Sequence, residues 1–137
     1  MIILDASALV KLVIKEAGSA KAVAGVDRAV VSGEVIAAPE IALAEALNAA
    51  WKHFSLAKDI SRSELDEAAV QLSFVWSKIT HLDTRQLASA AIGIAVENRH
   101  SVYDTLYLAA CKSNNAPLLT FDEKLRSISR KIGALLL

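Results

Sequence analysis

The chain opens with a wholly apolar run, Ile2-Ile3-Leu4, cut off by an aspartate at position 5. A strand with one face in water alternates apolar and polar residues. A run with no polar member reads as a strand covered on both faces, as in a parallel sheet. Parallel strands cannot be joined by tight hairpins, so helices must connect them.

The rest of the sequence has that layout. Residues 6–16 place Leu9, Val10, Val13 and Ile14 at helical spacing, and Gly18 stops the pattern. A second short helix is expected from Ser19 to about Val26. Residues 35–38 predict another strand, and Pro39 suits the first turn of a helix reaching about Ser55. Glu40 falls in that turn, where the helix dipole favours an anion. Ser61 and Glu64 have the spacing of a capping box at the head of a helix running to about Lys78. Residues 79–82 predict a third strand, after which Asp83 caps a helix to about Asn98. Residues 103–113 are helical until Asn114-Asn115. Residues 117–120 predict a fourth strand, 122–130 a last helix, and 134–137 a possible edge strand. The expected fold class is α/β: a three-layer α/β/α sandwich with a central parallel sheet of four to five short strands, in one domain spanning residues 1–137.

Composition bounds what such a chain does. Apolar residues make up 54% and charged residues 22%, so the chain can bury a core. Aromatics are only 5%, and a core rich in alanine lets helix backbones approach closely. The aromatics Trp51, Phe54, Phe74 and Trp76 are read as core. With 15 basic and 15 acidic residues the net charge is zero, which argues against holding a polyanion by bulk electrostatics. A single cysteine, Cys111, excludes an internal disulfide and a multi-cysteine zinc site. It reads as a small buried hydrophobe. The N-terminal residues show no basic leader, and no apolar run approaches the roughly 18 residues of a membrane span. The expected location is cytoplasmic.

Four acidic residues stand out. Asp5 directly follows the first strand and Asp122 closely follows the fourth, and parallel α/β folds carry their chemistry at such strand ends. Glu45 lies mid-helix with Ile41, Ala42, Asn48 and Ala49 at the neighbouring positions on its face. An unpaired buried carboxylate there would call for a cation; a surface glutamate with apolar neighbours is the other reading. Asp104 begins a helix. Asp5, Asp104 and Asp122 could each be helix caps, although Ser7 and Ser101 could take over two of those roles. Carboxylates gathered at one sheet edge repel unless cations sit among them. Oxygen donors without histidine or cysteine suit Mg²⁺ or Mn²⁺. His53, His81 and His100 show no ligand spacing and read as surface or loop residues.

The segments around these acids resemble those of PIN-domain ribonucleases, most closely toxins of the VapC type. They are Ile3-Leu4-Asp5-Ala6-Ser7, Pro39-Glu40-Ile41-Ala42-Leu43-Ala44-Glu45, Tyr103-Asp104-Thr105-Leu106-Tyr107-Leu108-Ala109 and Leu119-Thr120-Phe121-Asp122-Glu123-Lys124. The resemblance runs the length of the chain. It implies that Asp5, Glu45, Asp104 and Asp122 bind one or two Mg²⁺ or Mn²⁺ ions and catalyse endonucleolytic hydrolysis of RNA, with Ser7 and Thr120 in support. It further implies a homodimer and a VapB-like antitoxin laid into a hydrophobic groove. Lys11, Lys15, Arg85, Lys112 and Lys124 are candidate RNA contacts, each equally readable as solubilising surface.

Other readings are a catalytically weak or inactive PIN-fold protein-binding module and a stand-alone RNA-processing nuclease without an antitoxin. A phosphotransfer enzyme built on an aspartyl nucleophile fits less well. A haloacid-dehalogenase-like enzyme needs a second aspartate two residues after the first, where this chain has Ser7.

Overall fold

The computed structural model describes residues 1–137. Four strands form one parallel sheet: β1 (Ile2–Leu4), β2 (Ile36–Pro39), β3 (Thr80–Leu82) and β4 (Leu118–Leu119), in the order β3-β2-β1-β4. Seven helices flank it: α1 (Ala6–Val13), α2 (Ser19–Val31), α3 (Ile41–Lys52), α4 (Arg62–Trp76), α5 (Thr84–Asn98), α6 (Val102–Asn114) and α7 (Glu123–Lys131). The tail adds only a single parallel bridge, Leu118 to Leu136, so there is no fifth strand. Its pairing is limited to Leu118 at one edge of a two-residue strand.

Pro39 is the last residue of β2, paired with Leu82, rather than the first turn of a helix. A strand tolerates proline at that end because the next residue takes up the pairing: Glu40 N–H donates to the Leu82 carbonyl at 3.2 Å. Helix α1 stops at Val13, short of Glu16. The Ser19 hydroxyl causes this by donating to the Ile14 carbonyl and accepting from the Glu16 N–H, both at 3.0 Å. These local bonds replace the next helical turn. Helix α2 runs through Gly25 to Val31 and ends just before Gly33. The last turn of α3 widens into a π-turn over His53–Ala57 and ends at Lys58 in the left-handed conformation. The capping box at Ser61 and Glu64 forms as expected.

Twelve of the 28 residues in the core cluster are alanine. In α3 they recur at 42, 46 and 50, all fully buried, giving the helix a smooth inner face. Gly25 of α2 does the same against β4, where an added Cβ would meet Leu119 Cδ2 at 3.1 Å. Two aromatics depart from the expected core. Trp51 is 47% exposed and Phe74 63% exposed, because both lie on the outer faces of their helices, off the alanine and leucine stripes that are buried.

The strand order fixes where a site can form. The chain moves outward from β1 to β2 to β3, then returns to the opposite side of β1 with β4. The carboxyl ends of β1 and β4 therefore flank the point where the winding reverses, which leaves a crevice between the loops.

Candidate functional site

At that point Asp5 leaves β1 and is 3% exposed. It is the N-cap of α1, accepting from Ala8 N–H at 2.8 Å. The expectation that Ser7 would cap and release Asp5 is corrected. The Ser7 hydroxyl instead donates to the Asp5 carboxylate at 2.7 and 2.9 Å and accepts from Phe121 N–H at 2.8 Å. The Thr120 hydroxyl also donates to Asp5 and accepts from Asp122 N–H at 3.1 Å. Ser7 and Thr120 thus tie the end of β1 to the loop after β4. Burial outweighs these donors and lifts the Asp5 carboxyl from 3.8 to about 6, with a small upward push from the Asp122 charge.

Glu45 is half-buried on α3 and accepts a hydrogen bond from the Tyr107 hydroxyl at 2.5 Å. Burial raises its carboxyl above the ordinary value, the Tyr107 bond opposes this, and the Asp104 charge adds to it. Tyr107 is itself 2% exposed, and burial beside Glu45 drives its hydroxyl upward, so it stays a donor. Asp104 sits in the first turn of α6, which is capped by Ser101. Asp122 caps α7 through Leu125 N–H at 2.8 Å while standing at the surface.

All four acids line one cleft of about 210 Å³, together with Asn48 and Lys52. They come from four separate elements, and Lys52 is the only cation on the lining. The four acids offer only oxygen donors, and no histidine or cysteine lines the cleft, which matches a hard divalent cation. The carboxylates surround the cleft without closing into a preformed coordination shell.

Several residues of this neighbourhood went unread in the sequence. Tyr107 lies one turn beyond Asp104 on α6, and Asn48 and Lys52 follow Glu45 at three and seven residues on α3, so each shares a helix face with an acid already singled out. His100 is half-buried, with Nε2 2.7 Å from Asp104 Oδ2, close but not aligned as a hydrogen bond. It lies in the loop between α5 and α6, in keeping with the loop reading, and its position four residues before Asp104 is the sequence signal for this contact. His81 stacks on Trp76 at 4.1 Å, and His53 bridges Asp59 and Glu16. Of the suggested RNA-contacting cations, Lys11 is paired with Glu16 and Arg85 with Asp83.

The model of the PIN domain matches residues 2–131. The chain belongs to the PIN-domain family. Among solved structures, this PIN domain is similar to PAE2754 from Pyrobaculum aerophilum, at 28% identity and a TM-score of 0.69 over 93% of this chain and 83% of that one. It is also similar to VapC20 of Mycobacterium tuberculosis, a sarcin-ricin loop cleaving toxin, at 18% identity and a TM-score of 0.66 over 93% and 94% of the two chains. VapBC2 from Rickettsia felis, bound to a DNA fragment from its promoter, matches at 19% identity and a TM-score of 0.70 over 100% and 97%. No curated protein matches the sequence. No helix of this PIN domain is long and apolar enough to cross a membrane.

Proposed function

We propose that this PIN domain is a Mg²⁺- or Mn²⁺-dependent endoribonuclease, and that it is the toxin of a VapBC-type pair. The observation that carries the proposal is the cleft with four carboxylates and a single lysine. One of those carboxylates, Asp5, is buried and pushed up to about 6, so at neutral pH it is an ionised group in a poorly solvated place. Such a site is an anion cluster awaiting a cation.

A bound Mg²⁺ or Mn²⁺ supplies the charge that polarises the phosphoryl group and acidifies the attacking water. The chain's own residues divide the work of holding it. Asp5 is immobilised by Ser7, Ala8 and Thr120, and Glu45 is oriented by Tyr107. Asp104 and Asp122 are less buried than Asp5 and would complete the cation's set of carboxylate ligands. Asn48 and Lys52, on the α3 side of the cleft, are placed to meet the anionic strand. The VapC20 and VapBC2 folds support the toxin reading and, with it, a VapB-like antitoxin partner.

The test is cleavage of a labelled RNA by purified protein, free of any partner, with Mn²⁺, with Mg²⁺ and with chelator. Wild type cuts in a metal-dependent way, and Asp5→Asn and Asp104→Asn do not. If wild type leaves RNA intact with both metals, the enzyme reading fails. A small adjacent reading frame for a DNA-binding protein supports the toxin role, and its absence favours a stand-alone nuclease.

A further inference from the structure

A second cavity, of about 390 Å³, opens on the other side of the loop that follows β4. Lys21 and Arg28 of α2 and Arg126 of α7 line it, over an apolar floor of Leu119 and Phe121. No Asp or Glu lines it, and Leu137 completes the lining with its backbone carboxylate, which forms no ion pair within 4.0 Å. Lys21 and Arg28 stand seven residues apart, two turns along one helix face, so both point the same way. Ala24 separates them and leaves the space between them open. Neither residue takes part in an ion pair. Arg126 uses one N–H on the Thr120 carbonyl, at 3.2 Å, and keeps its other donors free.

Lys21 and Arg28 are exposed and screened by water, so their placement costs little; together with Arg126 they form a local positive patch on a chain of zero net charge. The cavity also shares a wall with the acidic cleft. Thr120 and Phe121 line the cationic side, Asp122 lines the acidic side, and the Thr120 hydroxyl reaches through to Asp5. Gly25 lets α2 lie close on Leu119, which holds Lys21 and Arg28 beside that wall.

We infer that this cavity receives a backbone phosphate of the RNA strand, flanking the phosphodiester in the acidic cleft. The inference rests on the nuclease reading and adds to it a route for the substrate. The planar guanidiniums of Arg28 and Arg126 match a phosphate's oxygens, and Phe121 offers an apolar wall for the attached nucleoside. The neutral chain thereby gains affinity for a polyanion from a local cluster rather than from overall charge.

The experiment is binding of a fluorescein-labelled, single-stranded RNA oligonucleotide of mixed sequence by fluorescence anisotropy, in chelator, across a range of salt. Wild type is compared with Lys21→Gln/Arg28→Gln and with Lys58→Gln, a surface control that lines neither cavity. The double variant is expected to bind about tenfold more weakly. Its slope of log affinity against log salt should be shallower by at least roughly 0.7, the contribution of one phosphate on a single strand. Lys58→Gln should match wild type, and the single variant Arg28→Lys should recover part of the loss. Both substituted positions are exposed, and an unchanged melting temperature confirms that the fold is intact.

Equal affinity and slope in wild type and the double variant overturn the inference and leave the nuclease reading standing. Competition by oligo-glutamate as strong as that by RNA overturns it in favour of a docking site for an acidic protein segment. Wild type that neither binds nor cleaves RNA removes both readings together.

Discussion

Asp5→Asn should make the metal-free protein more stable at neutral pH while abolishing its activity. The carboxyl moves from 3.8 in the unfolded chain to about 6 in the folded one. At about 1.4 kcal/mol per pH unit, ionising it in place costs about 3 kcal/mol once the pH exceeds both values. The sign follows from proton binding. The folded state holds the proton more tightly, so Asp5 destabilises nothing below pH 3.8, takes stability away between 3.8 and about 6, and exerts its full penalty above that. At 3% exposure, solvent screening removes little of this.

Asparagine removes the charge and retains an oxygen for Ala8 N–H and Ser7. It also places an N–H₂ group opposite the Thr120 hydroxyl, which must then accept rather than donate. A hydroxyl can accept twice, but its own proton loses a partner, at about 1 kcal/mol. The net gain is about 2 kcal/mol at pH 7.5. Urea unfolding in chelator, followed by circular dichroism, measures it. The advantage of the variant should grow between pH 4 and pH 7. With saturating Mn²⁺ the order should reverse, because only wild type gains from a ligand that binds the folded state. An Asn variant less stable than wild type in chelator at pH 7.5, or a difference that does not vary with pH, would refute the reasoning.

Tyr107→Phe takes away the donor that holds Glu45 down against burial and the Asp104 charge. Glu45 should then keep its proton to higher pH, so the acidic limb of the Mn²⁺-dependent cleavage profile moves upward, with roughly 1–2 kcal/mol of stability lost. A profile unchanged from wild type would show that the hydroxyl does not tune Glu45. Ser61→Ala breaks the exposed capping box of α4 and should cost about 1 kcal/mol in urea unfolding without altering cleavage. Cys111 is 2% exposed and its thiol is pushed up to about 12, first by burial and then by the Asp5 charge. It should therefore resist a thiol-modifying disulfide reagent at pH 8 until the protein is unfolded; rapid labelling of the folded protein would contradict its burial.

β1, β2 and β4 were legible because they are apolar without interruption, whereas β3, Thr80-His81-Leu82, carries two exposed polar residues as befits an edge strand. Ile2–Leu4 admits no amphipathic reading, and the strand ends came out within two residues. Where the expectation went wrong, a long-range or side-chain bond decided the matter. Pro39 is compatible with a helix start and with a strand end, and pairing with Leu82, 43 positions away, selects the strand. The end of α1 depends on a hydroxyl at Ser19 that no apolar periodicity registers. Trp51 and Phe74 look like core by residue type, but helix phase put them outside.

The candidate site divides along the same line. The type and order of its acids can be read locally, since Asp5 and Asp122 follow strand ends, Glu45 interrupts an apolar helix face and Asp104 opens a helix. What makes them a site is the network that joins residues 5 and 7 to residues 120 and 121, and residue 45 to residue 107. Those bonds cross the fold and leave no mark in sequence spacing. They also explain how a helix cap can serve a cation site. Asp5 gives one oxygen to the first turn of α1, Ser7 and Thr120 hold the carboxylate in place, and the buried charge is left short of solvent. The cap and the ligand are thus one arrangement: the bonds that orient Asp5 for the helix also orient it toward the cleft. Those neutral donors leave its charge uncompensated, and a cation bound in the cleft would compensate it.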